Sequence, residues 1–208
     1  MATTWSEKSL SAFLERHGAP VSEYGTGHTK TMADLLASIQ SGEVHLKKAG
    51  GPPRKRKKSM QHMPLLYCAK VKLDIYSDAD SDGRLRYLVE GDQFLNGNPR
   101  TRSWRRSLSE KIGPEENAAE AAQRGMQEEL GMTFTSTTWP DVYLYEEYEA
   151  APRLSKSFPG LLVAGPRFRL VTHLHPSLYN PHGYDEYRDG VLRTHFGWKL
   201  AADVWEMR

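Results

Sequence analysis

Residues 110–132 run EKIGPEENAAEAAQRGMQEELGM. The pattern predicts a helix over Pro114–Leu130, with a proline and two glutamates in its first turn and Gly131 just past its end. Two adjacent carboxylates, Glu128 and Glu129, stand near its tail, and Arg124 lies one turn behind them. Acids at a helix C-terminus oppose the macrodipole, so a plain solvated helix end explains that pair poorly. Paired carboxylates beside an arginine are what a divalent cation and a bound phosphate chain require.

On either side of this segment the sequence period is that of strands. Val71, Leu73 and Ile75 alternate with Lys70, Lys72 and Asp74 in a predicted strand over Leu65–Tyr76, and Arg84–Glu90 repeats the pattern after a turn. Further strands are predicted at Met132–Thr137, Val142–Tyr148, Leu161–Leu174 and Leu192–Leu200. Strands broken by one strong helix, with little chain for a full set of crossovers, point to an α/β class with a mixed sheet flanked by helices.

The first sixty residues read differently. Trp5, Leu10, Phe13 and Leu14 recur at helical spacing, with Ser6 as N-cap and Gly18 as stop. A second helix is predicted over Met32–Ile39, closed by Gly42. Glycines, prolines and the basic run Arg54–Lys58 follow, which read as an exposed linker. The expected organisation is therefore an N-terminal helical extension over 1–60 and a domain over 61–208.

Hydrophobic residues make up 38% and charged residues 26%, as in an ordinary water-soluble domain, and a net charge of +2 is too small to argue for nucleic acid. The charge is unevenly placed. Lys and Arg cluster at 47–58 and 84–106, while acids dominate 110–149, and such neighbouring patches suit a metal on one wall and phosphates on the other. Cys68 is the only cysteine, so an intramolecular disulfide is excluded and a reducing compartment is the expectation. The first residues carry charges where a signal peptide needs an apolar core, and no apolar run approaches membrane length. The expected location is intracellular: cytoplasmic, or nuclear if Arg54–Lys58 acts as a localisation signal.

The segment 110–132 resembles the Nudix box, G-x5-E-x7-R-E-U-x-E-E-x-G-U with U aliphatic. Glu128, Glu129, Gly131 and Met132 fall on its end, Arg124 on its arginine, Met126 on an aliphatic position and Glu116 on its first glutamate. Two positions depart: Glu110 stands at the opening glycine, and Gly125 at the glutamate after the arginine. SLSEK (Ser107–Lys111), SKSFPGLL (Ser155–Leu162) and HFGWKL (His195–Leu200) look similar to a eukaryotic branch of that superfamily.

The resemblance implies a Nudix-type α/β/α sandwich over roughly 64–208. It also implies attack of water on a phosphoanhydride, assisted by Mg2+ or Mn2+, in a nucleoside diphosphate-linked or polyphosphorylated small molecule. On it Glu128 and Glu129 are metal ligands and Arg124 orients the carboxylates, with Glu116 as its ion-pair partner. A glycine inside a helix costs about 1 kcal/mol against alanine, so Gly125 needs a reason. One carboxylate is lost at 125 and one gained at 110. Glu110 is therefore expected to fill the space over Gly125 and serve as substitute ligand or base.

A second reading, favoured by Gly125, is a module of this fold that binds a nucleotide, capped RNA or partner protein without turnover. A third, weaker one is a structural subunit.

Other signals are weighed against plainer readings. Arg102, Trp104, Arg105 and Arg106 precede the box, and arginine forks beside a stacking ring suit phosphate and base, although a solvated loop accounts for them equally well. The run Pro52–Lys58 is as readily a linker as an RNA contact. Asp78–Gly83 imitates the start of a calcium loop but has Val89 where its last glutamate would stand, so it reads as a hairpin turn. His173 and His175 lack partners at zinc-ligand spacing and read as structural. The resemblance implies that one further carboxylate can join the box, and Glu146, Glu147, Glu149, Asp185 and Glu186 are the candidates.

Overall fold

The computed structural model describes residues 5–27, 29–47, 63–95, 98–100, 108–188 and 191–205. The basic run Arg54–Lys58 and the segment with Arg102, Trp104, Arg105 and Arg106 lie outside the described residues. The strands are β1 (His45–Lys47), β2 (Leu65–Tyr67), β3 (Lys70–Ser77), β4 (Arg86–Leu95), β5 (Asn98–Arg100), β6 (Leu108–Lys111), β7 (Val142–Leu154), β8 (Leu162–His173), β9 (Tyr184–Arg188) and β10 (Val191–Leu200). The helices are α1 (Glu7–Arg16), α2 (Met32–Gln40), α3 (Ala118–Leu130) and α4 (Ala201–Trp205). No helix among the described residues is long and apolar enough to cross a membrane.

Each of the three longer helices opens on a reciprocal capping box: Ser6 with Ser9, Thr31 with Asp34, and Asn117 with Glu120. These pairs satisfy N–H groups that no turn of helix precedes, and they fix where each helix starts. For α3 the start is Ala118 and not Pro114 as the sequence pattern predicts. Asn117 Oδ1 accepts from the N–H groups of Ala119 and Glu120 at 2.9 and 3.0 Å, while Pro114 and Glu115 form a turn ahead of it. The predicted strand Met132–Thr137 is absent. Thr135, Thr137 and Thr138 hydrogen-bond one another through side chains, and the Thr135 N–H donates to Thr138 Oγ1 at 2.8 Å, so local turns win over a ladder.

The chain divides into two compact units. The first comprises Met1–Ala69, Lys111–Glu115 and Tyr148–Arg167. Its core joins Leu10 and Leu14 of α1 and Leu35 of α2 to Leu66, Cys68, Phe158 and Leu161. Full burial of each such leucine contributes about 1.5–3 kcal/mol. Tyr24 donates to the Pro159 carbonyl at 3.0 Å, and burial pushes its phenol up to about 12. Lys111 reaches Glu43 at 2.7 Å and Ser38 at 2.9 Å. Here β1 pairs antiparallel with β2, and β2 runs parallel to the first residues of β8, with Leu65 opposite Leu162. The sheet is thus mixed.

The strand predicted over Leu65–Tyr76 is broken at Cys68 and Ala69. The buried guanidinium of Arg167 takes the Cys68 carbonyl through Nη1 at 2.7 Å, and the Ile112 N–H takes the Ala69 carbonyl at 3.2 Å. With those acceptors committed elsewhere, the ladder restarts at Lys70.

The second unit comprises Lys70–Glu110, Glu116–Glu147 and Phe168–Arg208. Its strand order is β8, β3, β4, β10, β9, and the β3–β4, β4–β10 and β10–β9 pairs are antiparallel. Val71, Leu73 and Ile75 are buried on alternate positions of β3, as the sequence period predicts. Asp80–Gly83 forms the β3–β4 turn, and its carboxylates are spent on Arg86: Asp82 grips the guanidinium at 2.7 Å and Asp80 at 3.0 Å. Helix α3 packs against β3 and β9. Gly131 ends it in the left-handed conformation (φ 64°), which glycine adopts without the Cβ penalty.

Candidate active site

Positions four apart on a helix lie over one another, so α3 presents two adjacent rows: Arg124 with Glu128, and Gly125 with Glu129. The first row is a charge network. Arg124 donates through Nε and Nη2 to the two oxygens of Glu116, at 2.7 and 3.0 Å, and its Nη1 reaches Glu128 at 3.2 Å and Glu110 at 3.5 Å. The two-pronged contact with Glu116 is the geometry in which guanidinium and carboxylate bind most tightly. It raises the Arg124 guanidinium further above its already high value.

The second row is a close approach. A Cβ at position 125 would lie 2.5 Å from Leu108 Cδ2 and 2.6 Å from Glu110 Cγ. Only glycine lets the Glu110 side chain cross the helix there, and its carboxyl group then meets that of Glu129 one turn further on. The Glu129 carboxyl is pushed up to about 9. Burial is the leading cause, followed by its hydrogen bond to Glu110 and then by the negative charges of Glu110, Glu186 and Glu90. In the protein by itself Glu129 is therefore the protonated partner and donates to Glu110.

Glu128, expected beside Glu129 as a metal ligand, lies against Arg124 at 3.2 Å. Its side chain is 58% exposed, against 18% for Glu110. Adjacent residues on a helix project about 100° apart, and the two rows separate them.

The donor set suits a hard divalent cation. The Glu129 and Glu110 carboxyl groups meet, with Glu186 and Glu90 adding negative charge around Glu129, and magnesium needs only one or two carboxylates, filling its octahedron with water and substrate phosphates. Among the described residues no group of three or more His, Cys, Asp or Glu side chains is arranged as a metal cage.

Sequence reasoning named Glu186 as one of several downstream acids and missed Glu90. Glu186 lies on β9, paired across from Thr194, and Glu90 lies on β4, paired with Phe196. An acid directly after Leu88 and Val89, in a strand otherwise apolar at that point, was the available signal. Glu146 is taken by Arg169 at 3.2 Å, and Asp185 holds His195 Nδ1 at 2.7 Å. His173 meets Asp78 at 2.9 Å.

No protein-family model matches the chain, and no curated protein sequence matches it. Solved structures of similar form include a C. elegans Ap4A hydrolase, with 14% identity over 67% of this chain and 85% of that one, at a TM-score of 0.38. They also include a mutT/nudix family protein from Listeria innocua (14% identity; 67% and 82% covered; TM-score 0.42). The E. coli dihydroneopterin triphosphate pyrophosphohydrolase is a third (19% identity; 66% and 84% covered; TM-score 0.41). At such identities and scores the likeness is one of general form and carries nothing about substrate.

Proposed function

We propose that the protein hydrolyses a phosphoanhydride bond in a nucleoside diphosphate-linked or polyphosphorylated small molecule, with magnesium or manganese as cofactor. The observation that carries this reading is the Glu110 side chain lying over Gly125 with its carboxyl against Glu129. A box that lacks one carboxylate on the helix regains one from the facing strand.

Glu129 and Glu110 would hold the cation, with Glu186 and Glu90 adding negative charge around it. When bound, the cation supplies positive charge that gathers and neutralises the phosphate oxygens. Arg124 fixes the helix row through Glu116 and, by its contacts to Glu110 and Glu128, keeps these carboxylates oriented. Glu128, exposed beside Arg124, remains a proposed further ligand of the cation. Arg102, Arg105, Arg106 and Trp104 remain proposed contacts for phosphate and base.

The test is release of phosphate from dinucleotides, nucleoside diphosphate sugars and inositol pyrophosphates, with and without magnesium. Metal-dependent release that Glu129→Gln abolishes supports the enzyme. Tight binding of one of these ligands with no turnover would replace it by the binding module, the reading that Gly125 favours.

A further inference from the structure

The second unit also contains a cavity of about 580 Å³, lined by Tyr76, Asp78, Trp139, Asp141, Tyr143 and His173 together with the Thr137–Thr138 and His175–Pro176 segments. None of the clustered glutamates around Glu129 contributes to it. The volume falls in the range of about 300–1,000 Å³ usual for small-molecule sites.

Its chemistry is unusual in what it combines. Three aromatic rings line it, and two of them are left open to solvent: Trp139 is 51% exposed and Tyr143 62% exposed. Two carboxylates, Asp78 and Asp141, line it as well, beside His173 and His175, and among the described residues no lysine or arginine does. A phosphate or carboxylate ligand would find acids and no strong cationic partner there. A neutral apolar ligand would leave Asp141 unused, Asp78 being held by His173.

The group that satisfies both features is a bulky cation with little hydration. It is drawn to the negative faces of aromatic rings and to nearby carboxylates, yet needs no hydrogen bonds. We infer that this cavity binds an organic cation carrying a trimethylammonium group.

The walls are held in place before any ligand arrives. Asp78 is tied to His173 at 2.9 Å, and His173 packs on Tyr76 with ring centroids 4.9 Å apart. Thr172 Oγ1 donates to the Asp141 carbonyl at 2.8 Å, and Gln123 of α3 donates to the Pro140 carbonyl at 3.3 Å. Trp139 leans edge-on against Phe134 at 5.5 Å. Tyr76, Trp139 and Tyr143 form no ring contact with one another among the described residues. Preformed walls lower the ordering cost of binding.

The experiment compares choline with 3,3-dimethyl-1-butanol, its uncharged isostere, by calorimetric titration of the full chain. Choline is expected to bind saturably in the millimolar range and the isostere about tenfold more weakly or not at all. Trp139→Ala and Tyr143→Ala are each expected to weaken choline about 2- to 30-fold, the span that one cation–π contact covers. Tyr143 makes no ring contact among the described residues and is mostly exposed, so its variant stays informative if Trp139→Ala perturbs folding. Equal affinity for the two compounds, absence of saturable choline binding, or choline binding unchanged in both variants would each overturn the inference.

Discussion

Gly125→Ala tests the close approach on which the proposed chemistry depends. An added Cβ would sit 2.5 Å from Leu108 Cδ2 and 2.6 Å from Glu110 Cγ. Carbon atoms rest at about 3.5–4.0 Å, so both side chains must retreat by about 1 Å. Leu108 is 5% exposed and has little room to do so. Overpacking of this kind costs about 1–3 kcal/mol, and alanine regains about 1 kcal/mol of helix propensity. The single variant should therefore be about 0–2 kcal/mol less stable than the natural chain. Repeating the substitution in Glu110→Ala removes one of the two obstructing atoms. There the same change should be about 1 kcal/mol more favourable than in the natural background. Urea unfolding of the four proteins, followed by circular dichroism, gives both numbers. Additive effects, with Gly125→Ala stabilising by about 1 kcal/mol as at an open helical site, would show that Glu110 does not cross the helix there.

Three further outcomes follow from the same geometry. Glu129 has a folded-state value near 9, above its ordinary 4.5, so its contribution to metal-free stability is complete below about pH 4.5 and is lost as pH rises toward 9. In chelator, Glu129→Gln should escape that loss, so its thermal-stability advantage over the natural chain should widen across the window; a constant difference would contradict the buried carboxyl pair. Arg124→Lys keeps the charge but loses the fork to Glu116, and should cost about 1–3 kcal/mol in urea unfolding; an unchanged midpoint would show the fork to be idle. Asn117→Ala removes the acceptor that starts α3 and should cost about 1 kcal/mol, read in the same way, whereas an unaltered curve would mean the box contributes nothing.

Much of this was legible in the sequence where short-range chemistry decides. Ser6 and the spacing of Leu10 and Leu14 give the first helix, and alternation through Val71, Leu73 and Ile75 gives the third strand. Local competition accounts for two failures. Asn117 captures the helix start from Pro114, and threonine hydroxyls between 135 and 138 satisfy backbone that the pattern assigned to a strand. Long-range partners account for the others. Nothing near Cys68 in sequence says that Arg167 will claim its carbonyl, and nothing near Leu88 says that Glu90 will approach Glu129. At the site, the box spacing anticipates the Arg124–Glu116 ion pair, but the separation of the Glu128 and Glu129 side chains depends on which row of the helix faces the sheet.

Glu110 belongs to β6 and Glu129 to α3, and residues 112–117 connect the two elements. An ion shared by both carboxylates would act as a stitch between these two stretches of backbone, in place of the hydrogen bond that joins the side chains without it. Amide exchange at Ser109 and Glu110 should then slow in step with that at Glu129–Gly131 when manganese is added. Were only one of the two stretches to become protected, the stitch would have a single anchor.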